Sequence, residues 1–189
     1  DGSTDDTVSV ARAHGVSHVV SLPRNQGLAR AFMAGIEASL SAGADIIVNT
    51  DADNQYNADD IGVLVAPVLD GKAEIAVGAR PIAEIAHFSF AKKLLQGIGS
   101  WVVRRASGTD VVDAPSGFRA ISRAAAQQLN VFSDYTYTLE MLIQAGRKGM
   151  AVTSVPVRIN RPTRPSRLIV SLGSYLRRSV ATIVRIFII

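Results

Sequence analysis

Residues 45–56 read DIIVNTDADNQY, and the fold turns on this stretch. A continuous apolar run, Ile46, Ile47 and Val48, reads as a strand buried on both faces, as expected inside a parallel sheet. The run ends in charge: Asp51 and Asp53 sit one residue apart, with Gln55 two positions further on. Ligands of an open parallel sheet bind beyond the carboxyl ends of its strands, so both aspartates fall at the functional edge.

Two carboxylates at i and i+2 in a turn can converge on one hard divalent cation, with Gln55 adding a neutral oxygen. Mg²⁺ or Mn²⁺ held there would bridge to a substrate diphosphate and stabilise it as a leaving group. A calcium loop would need Gly at its sixth position and Glu at its twelfth; counted from Asp51 these are Tyr56 and Gly62. An aspartyl-phosphatase would carry Thr or Val where Gln55 stands. The bland alternative is a solvated turn whose aspartates cap the next helix.

Outward from this strand the chain alternates. Ser3 with Asp6 fits an N-cap opening a helix through about Ala13. VSHVVSL, residues 16–22, reads as a short strand. GLARAFMAGIEASLSAG has helical periodicity and closes at Gly43. NADDIGVLVAPVLDG reads as a helix capped by Asn57, and AEIAVGAR as the next strand. After Arg80 the pattern loosens into a helix over about His87 to Ala106, a loop running into a strand (DAPSGFRAIS), a helix (YTLEMLIQAGRKG) and a strand (MAVTSVPVRI). The fold class is α/β, a mostly parallel sheet covered by helices on both faces.

With 189 residues the chain is long enough for one domain with a sizeable core, and 48% hydrophobic content excludes a disordered tail. Absence of cysteine removes disulfides, thiolate metal sites and a cysteine nucleophile. The net charge of +4 hides an asymmetry: residues 1–140 hold all 16 acids, whereas residues 141–189 hold nine Lys/Arg and none. The basic part is expected to face something anionic. Nucleic acid is a poor candidate, because only 6% of residues are aromatic and base stacking needs interleaved rings.

DGSTDDT, RNQGLARAFMAGIEAS, NTDADNQY, VGAR and DAPSGFRAISR follow one another in an order that resembles family 2 glycosyltransferases of the GT-A fold, nearest to the dolichyl- and polyprenyl-phosphate sugar synthases. The resemblance runs from Asp1 to about Arg167. It implies that Asp1 contacts the donor nucleoside, its acidic partner and the family's preceding strand not being in this sequence. Arg24 and Gly27 match the segment lying along the nucleotide. Asp51, Asp53 and Gln55 match the metal and diphosphate site, with Asp53 catalytic. Arg80, Ser116 and Arg119 match positions that hold donor and acceptor phosphates, and both arginines are expected to act in catalysis. The domain is expected at 1–165, without its first strand, followed at 166–189 by a basic interfacial helix leading into a membrane segment.

A lipid phosphate monoester has a second pKa of about 6, so it is already anionic at pH 7 and needs no general base. Family members that glycosylate hydroxyls often carry a Glu-Asp pair late in the domain; FSDYTYTLEML has none, although Asp134 or Glu140 stands nearby. The Q-x-x-R-W segment of polymer synthases is absent too, since Trp101 follows QGIGS. The expected reaction is inverting, metal-dependent transfer from a GDP- or UDP-linked sugar to a polyprenyl phosphate. Its expected place is the cytoplasmic face of a membrane, the bacterial inner membrane in particular. The alternative acceptor is a saccharide or other hydroxyl of the cell envelope. Arg161, Arg164 and Arg167 lie in the basic loop before the last helix, with Arg164 and Arg167 as expected substrate contacts; Arg177, Arg178 and Arg185 within the helix are expected at headgroup level.

Overall fold

A computed structural model describes residues 1–82, 90–132 and 137–160. Its elements are α1 (Thr7–Ala13), α2 (Leu28–Ser41), β1 (Ile46–Asn49), a 3₁₀ turn (Ala58–Asp60), α3 (Ile61–Leu69), β2 (Ile75–Ala79), α4 (Phe90–Ser107), β3 (Arg119–Ser122), α5 (Arg123–Gln128), α6 (Tyr137–Arg147) and β4 (Val152–Pro156).

The strand order is β1-β3-β2-β4. β2 pairs with β4 in parallel, while β3 runs antiparallel to both β1 and β2. The sheet is therefore mixed: three strands share one direction, as the mostly parallel expectation has it, and β3 alone runs against them. The reversal has a consequence for the site. The start of β3 lies at the edge where β1 and β2 end, with Arg119 opposite both Asn49 and Val77.

Alternation along the strands sorts their side chains onto two faces. Ile75, Val77 and Ile121 pack with Phe32 and Ile36 of α2, Val103 of α4 and Leu142 of α6. Ala76 and Ala120 point the other way, against Leu64 and Val68 of α3 with Tyr56 and Phe118. Helices thus cover both faces, as the apolar runs implied.

Most terminal signals are honoured. After α2, the Gly43 amide donates to Leu40 and the Ala44 amide to Ser39, with Gly43 at φ 86°; this left-handed closure satisfies the last carbonyls. Asn57 caps the 3₁₀ turn by accepting from the Asp59 amide. Two expectations are corrected. Ser3 is not the cap of α1, which begins at Thr7 after Asp5 has taken both the Thr7 amide and hydroxyl. Residues 16–22 form no strand: Val16 and Val20 stay about half exposed, so no packing holds the segment extended. The six-residue α5, capped by the Ser122 hydroxyl, has no counterpart among the expected elements.

Candidate active site

The chain leaves β1 and turns sharply through residues 50–56. The Asp53 carboxylate accepts the Gln55 amide at 3.0 Å, and Asn54 takes a left-handed φ of 58°, which its short amide side chain tolerates. The loop is then held from outside. Asn160 donates its amide to the Gln55 carbonyl and its side chain to the Tyr56 carbonyl, within a two-residue antiparallel bridge between Tyr56 and Ile159.

Asp51 leans on the turn before β3. A Cβ added at Gly117 would lie 2.5 Å from Asp51 Oδ2, so this approach requires glycine. Asp51 is exposed at the surface, but the protein atoms around its carboxylate raise its pKa, the charge of Asp53 raises it further, and the Arg80 and Arg119 guanidiniums pull it down. Two crowded carboxylates, one of them partly desolvated, are the arrangement a divalent cation relieves. Among the described residues no third His, Cys, Asp or Glu joins them. Two carboxylates supplemented by substrate phosphate oxygens suit Mg²⁺ or Mn²⁺, so the residues fit such an ion.

Arg80 leaves the end of β2 into a grip with no local signal in the sequence. Asp113 accepts its Nε at 2.6 Å, its second guanidinium nitrogen at 2.9 Å and its backbone amide at 3.2 Å. Both side chains are almost wholly buried, 8% and 2% exposed. The remaining guanidinium nitrogen donates to Gln55 Oε1 at 3.0 Å. An arginine can only donate, so this contact fixes the amide orientation of Gln55, with its carbonyl oxygen facing Arg80.

Arg119 and Ser116 lie deeper than expected. Arg119 is fully buried, its guanidinium donating to the carbonyls of Ala114, Ser116 and Thr138, with Tyr137 5.9 Å from its centre. Burial lowers its pKa. Ser116 is equally buried; its hydroxyl bonds to that of Tyr56, which also accepts the Gly117 amide. Neither side chain offers surface to a phosphate in this conformation: they brace the turn that carries Gly117. Tyr137, stacked on Phe32 at 4.0 Å, and Asn49, which donates to the Tyr137 hydroxyl and the Gly117 carbonyl, complete the brace. Burial raises the pKa of both tyrosines, keeping their hydroxyls neutral.

A second group forms at the start of the chain. The Asp1 carboxylate accepts the amides of Gln26 at 2.6 Å and Gly27 at 3.1 Å, and Gly27 opens α2 at φ 92°. A Cβ on Gly2 would meet the Arg24 backbone at 2.3 Å. Asp1, Arg24 and Gly27, singled out separately in the sequence, are thus neighbours. Glu140 is buried and accepts from the Phe132 amide and Gln144, an internal role. Asp134, Arg161, Arg164, Arg167 and the helix expected at 166–189 lie outside the described residues. Asp113, Tyr56, Tyr137 and Asn49 join the site without having stood out in the sequence. Asp113 alone left a signal, a carboxylate inside the same DAPSGFR motif.

The chain is similar to several known proteins. A UDP-N-acetylglucosamine–dolichyl-phosphate N-acetylglucosaminyltransferase of Methanococcus voltae is 31% identical over 143 residues, covering 71% of this chain and 56% of that protein. A polyprenol monophosphomannose synthase of Mycolicibacterium smegmatis is 24% identical over 168 residues, 83% of this chain and 63% of the relative. The chain thus spans less than two thirds of the length of these two curated relatives. Glucosyl-3-phosphoglycerate synthase from Mycobacterium tuberculosis, solved with Mn²⁺, uridine diphosphate and phosphoglyceric acid, superposes with a TM-score of 0.71 at 25% identity, covering 98% of this chain and 64% of that one. Residues 1–129 match the profile of glycosyl transferase family 2, the family to which this chain belongs.

Proposed function

We propose that the protein transfers a sugar, with inversion, from a nucleoside-diphosphate sugar to a polyprenyl phosphate at the cytoplasmic face of a membrane. The observation that carries the reading is the paired site at one sheet edge. Asp51 and Asp53 follow the end of β1, and Arg80, gripped by Asp113, follows the end of β2. Carboxylates can hold a cation and arginine can hold an anion, so this edge suits a diphosphate leaving group beside an incoming phosphate.

In this reading Asp51 and Asp53 hold Mg²⁺ or Mn²⁺, which when bound neutralises charge developing on the departing nucleotide. Arg80 offsets repulsion between the two phosphates, its orientation fixed by Asp113. Gln55, turned by Arg80, orders the loop from within. Asp1 and the Arg24 to Gly27 segment cradle the nucleoside end. No protein base is assigned, because Glu140 is committed internally and a phosphate monoester arrives already ionised. The sequence relatives named for dolichyl- and polyprenyl-phosphate acceptors support this choice of acceptor.

The likeness to a synthase solved with phosphoglyceric acid favours a second reading, a small phosphorylated hydroxyl acceptor. Product analysis separates them. Incubation with labelled UDP- and GDP-sugars, Mn²⁺ and undecaprenyl phosphate should yield a lipid product that mild acid cleaves. A label appearing only in an acid-stable, water-soluble glycoside would overturn the lipid-phosphate reading.

A further inference from the structure

Along α4, Leu94, Ile98 and Trp101 are 53%, 48% and 56% exposed. Spaced at i, i+4 and i+7, they form one apolar stripe on the helix surface. Arg105 continues that line one turn further, and Lys93 and Arg104 lie along one flank. The opposite face is packed inward: Val103 and Ser107 are buried, and Ser100 accepts the Ala114 amide at 3.2 Å. With Lys92, the helix sequence holds four basic residues and no acid. Among the described residues no helix is long and apolar enough to cross a membrane.

We infer that the α4 face bearing Leu94, Ile98 and Trp101 docks onto the surface of an anionic lipid bilayer, with the helix lying in the headgroup region. This deepens the proposed function, resting on its lipid-linked acceptor. Charge decides the occupant. Residues 161–189 carry six arginines and no acid, so covering α4 with them would set two cationic elements together. A second copy packed face to face on α4 would do the same. Anionic headgroups complement both elements, and a tryptophan amid cationic flanks suits the boundary between acyl chains and water. The inner face of α4 is hydrogen-bonded to Ala114, next to the Asp113 that grips Arg80. A bilayer seated on the outer face would therefore lie about one helix diameter, roughly 10 Å, from the segment that holds the site arginine.

Trp101 is the only tryptophan, so its emission reads the docking directly. The full chain is mixed with vesicles of phosphatidylcholine containing phosphatidylglycerol, with and without brominated acyl chains. The emission should shift to the blue and be quenched by the brominated chains, far less with phosphatidylcholine alone. The double variant L94E/I98E should lower vesicle affinity by roughly tenfold or more while keeping the wild-type unfolding midpoint. Three results would overturn the inference: no vesicle binding; co-sedimentation with Trp101 unquenched, which assigns binding to another surface; or a blue shift that grows with protein concentration without vesicles, which assigns the face to self-association. No sugar donor or acceptor is present, so this outcome is independent of the proposed chemistry. Quenching without sugar transfer would sink only the catalytic reading, and transfer without quenching only this one.

Discussion

Arg80 and Arg119 stand at the same sheet edge, and the sequence assigns them the same task. Their surroundings differ. Arg80 meets a carboxylate, Asp113, and spends one nitrogen on Gln55 in the loop that carries Asp51 and Asp53. Arg119 bonds three backbone carbonyls and faces Tyr137, entirely enclosed. The first is tied by side-chain bonds into the loop that carries the two aspartates. The second is an internal strut that fixes where Gly117, and hence Asp51, must lie. A motif arginine is therefore not a site arginine until its partners are known.

The largest expected effect breaks this contrast if it fails. Arg119→Met leaves buried carbonyls of Ala114, Ser116 and Thr138 without their donor and should cost on the order of 3 kcal/mol of folding stability. A denaturant midpoint equal to wild type would remove the strut assignment. The double variant Arg80→Met with Asp113→Leu should behave oppositely. Its stability should fall by clearly less than that of Arg119→Met, because replacing a buried ion pair by apolar residues is often neutral and the Arg80 amide and Gln55 Oε1 lose one partner each. Its sugar transfer should drop by roughly 100-fold or more, the scale of losing one preorganised charge contact. Equal losses of stability in both variants would erase the distinction.

Gly117→Ala sharpens the link between the two regions without removing any charge. A Cβ 2.5 Å from Asp51 Oδ2 must push that carboxylate aside. Mn²⁺-dependent nucleotide affinity should fall by roughly tenfold, a displaced ligand costing about as much as a lost supporting contact. Unchanged Mn²⁺ affinity would mean that Asp51 is not a ligand.

The smallest effect concerns pH. The folded-state pKa of Asp51 is raised by the protein atoms around its carboxylate and by Asp53, so the folded chain holds that proton more tightly than the unfolded chain. Its ionisation therefore costs stability above the folded pKa, and that cost disappears as pH falls from there toward the ordinary value. Asp51→Asn, measured in chelator at neutral pH, should raise Tm slightly while transfer is lost. A lowered Tm would contradict the strain assigned to the site.

Much of the fold and part of the site are legible in the amino-acid sequence. The apolar run that precedes Asp51 and Asp53 marks a strand and the edge at which the candidate site lies, because both signals are local. Gly43 and Asn57 announce their helix ends for the same reason. The reversal of β3 is not legible, since so short a strand, four residues long, looks alike in either direction. The depth of Arg119 is hidden as well: its acceptors are backbone carbonyls, which carry no sequence signature. Asp113 escapes notice because its partner lies 33 residues away. Residues 16–22 mislead through composition alone, as β-branched residues form a strand only where there is something to pack against.

The central claim is that Asp51 and Asp53 hold the donor diphosphate through a divalent cation. Calorimetric titration of uridine and guanosine diphosphate into wild type and Asp53→Asn, with Mn²⁺ and then in chelator, tests it most directly. One nucleotide should bind wild type with Mn²⁺, lose that binding in chelator, and bind Asp53→Asn weakly under both conditions. Full affinity of the wild type in chelator, or of Asp53→Asn with Mn²⁺, would contradict it.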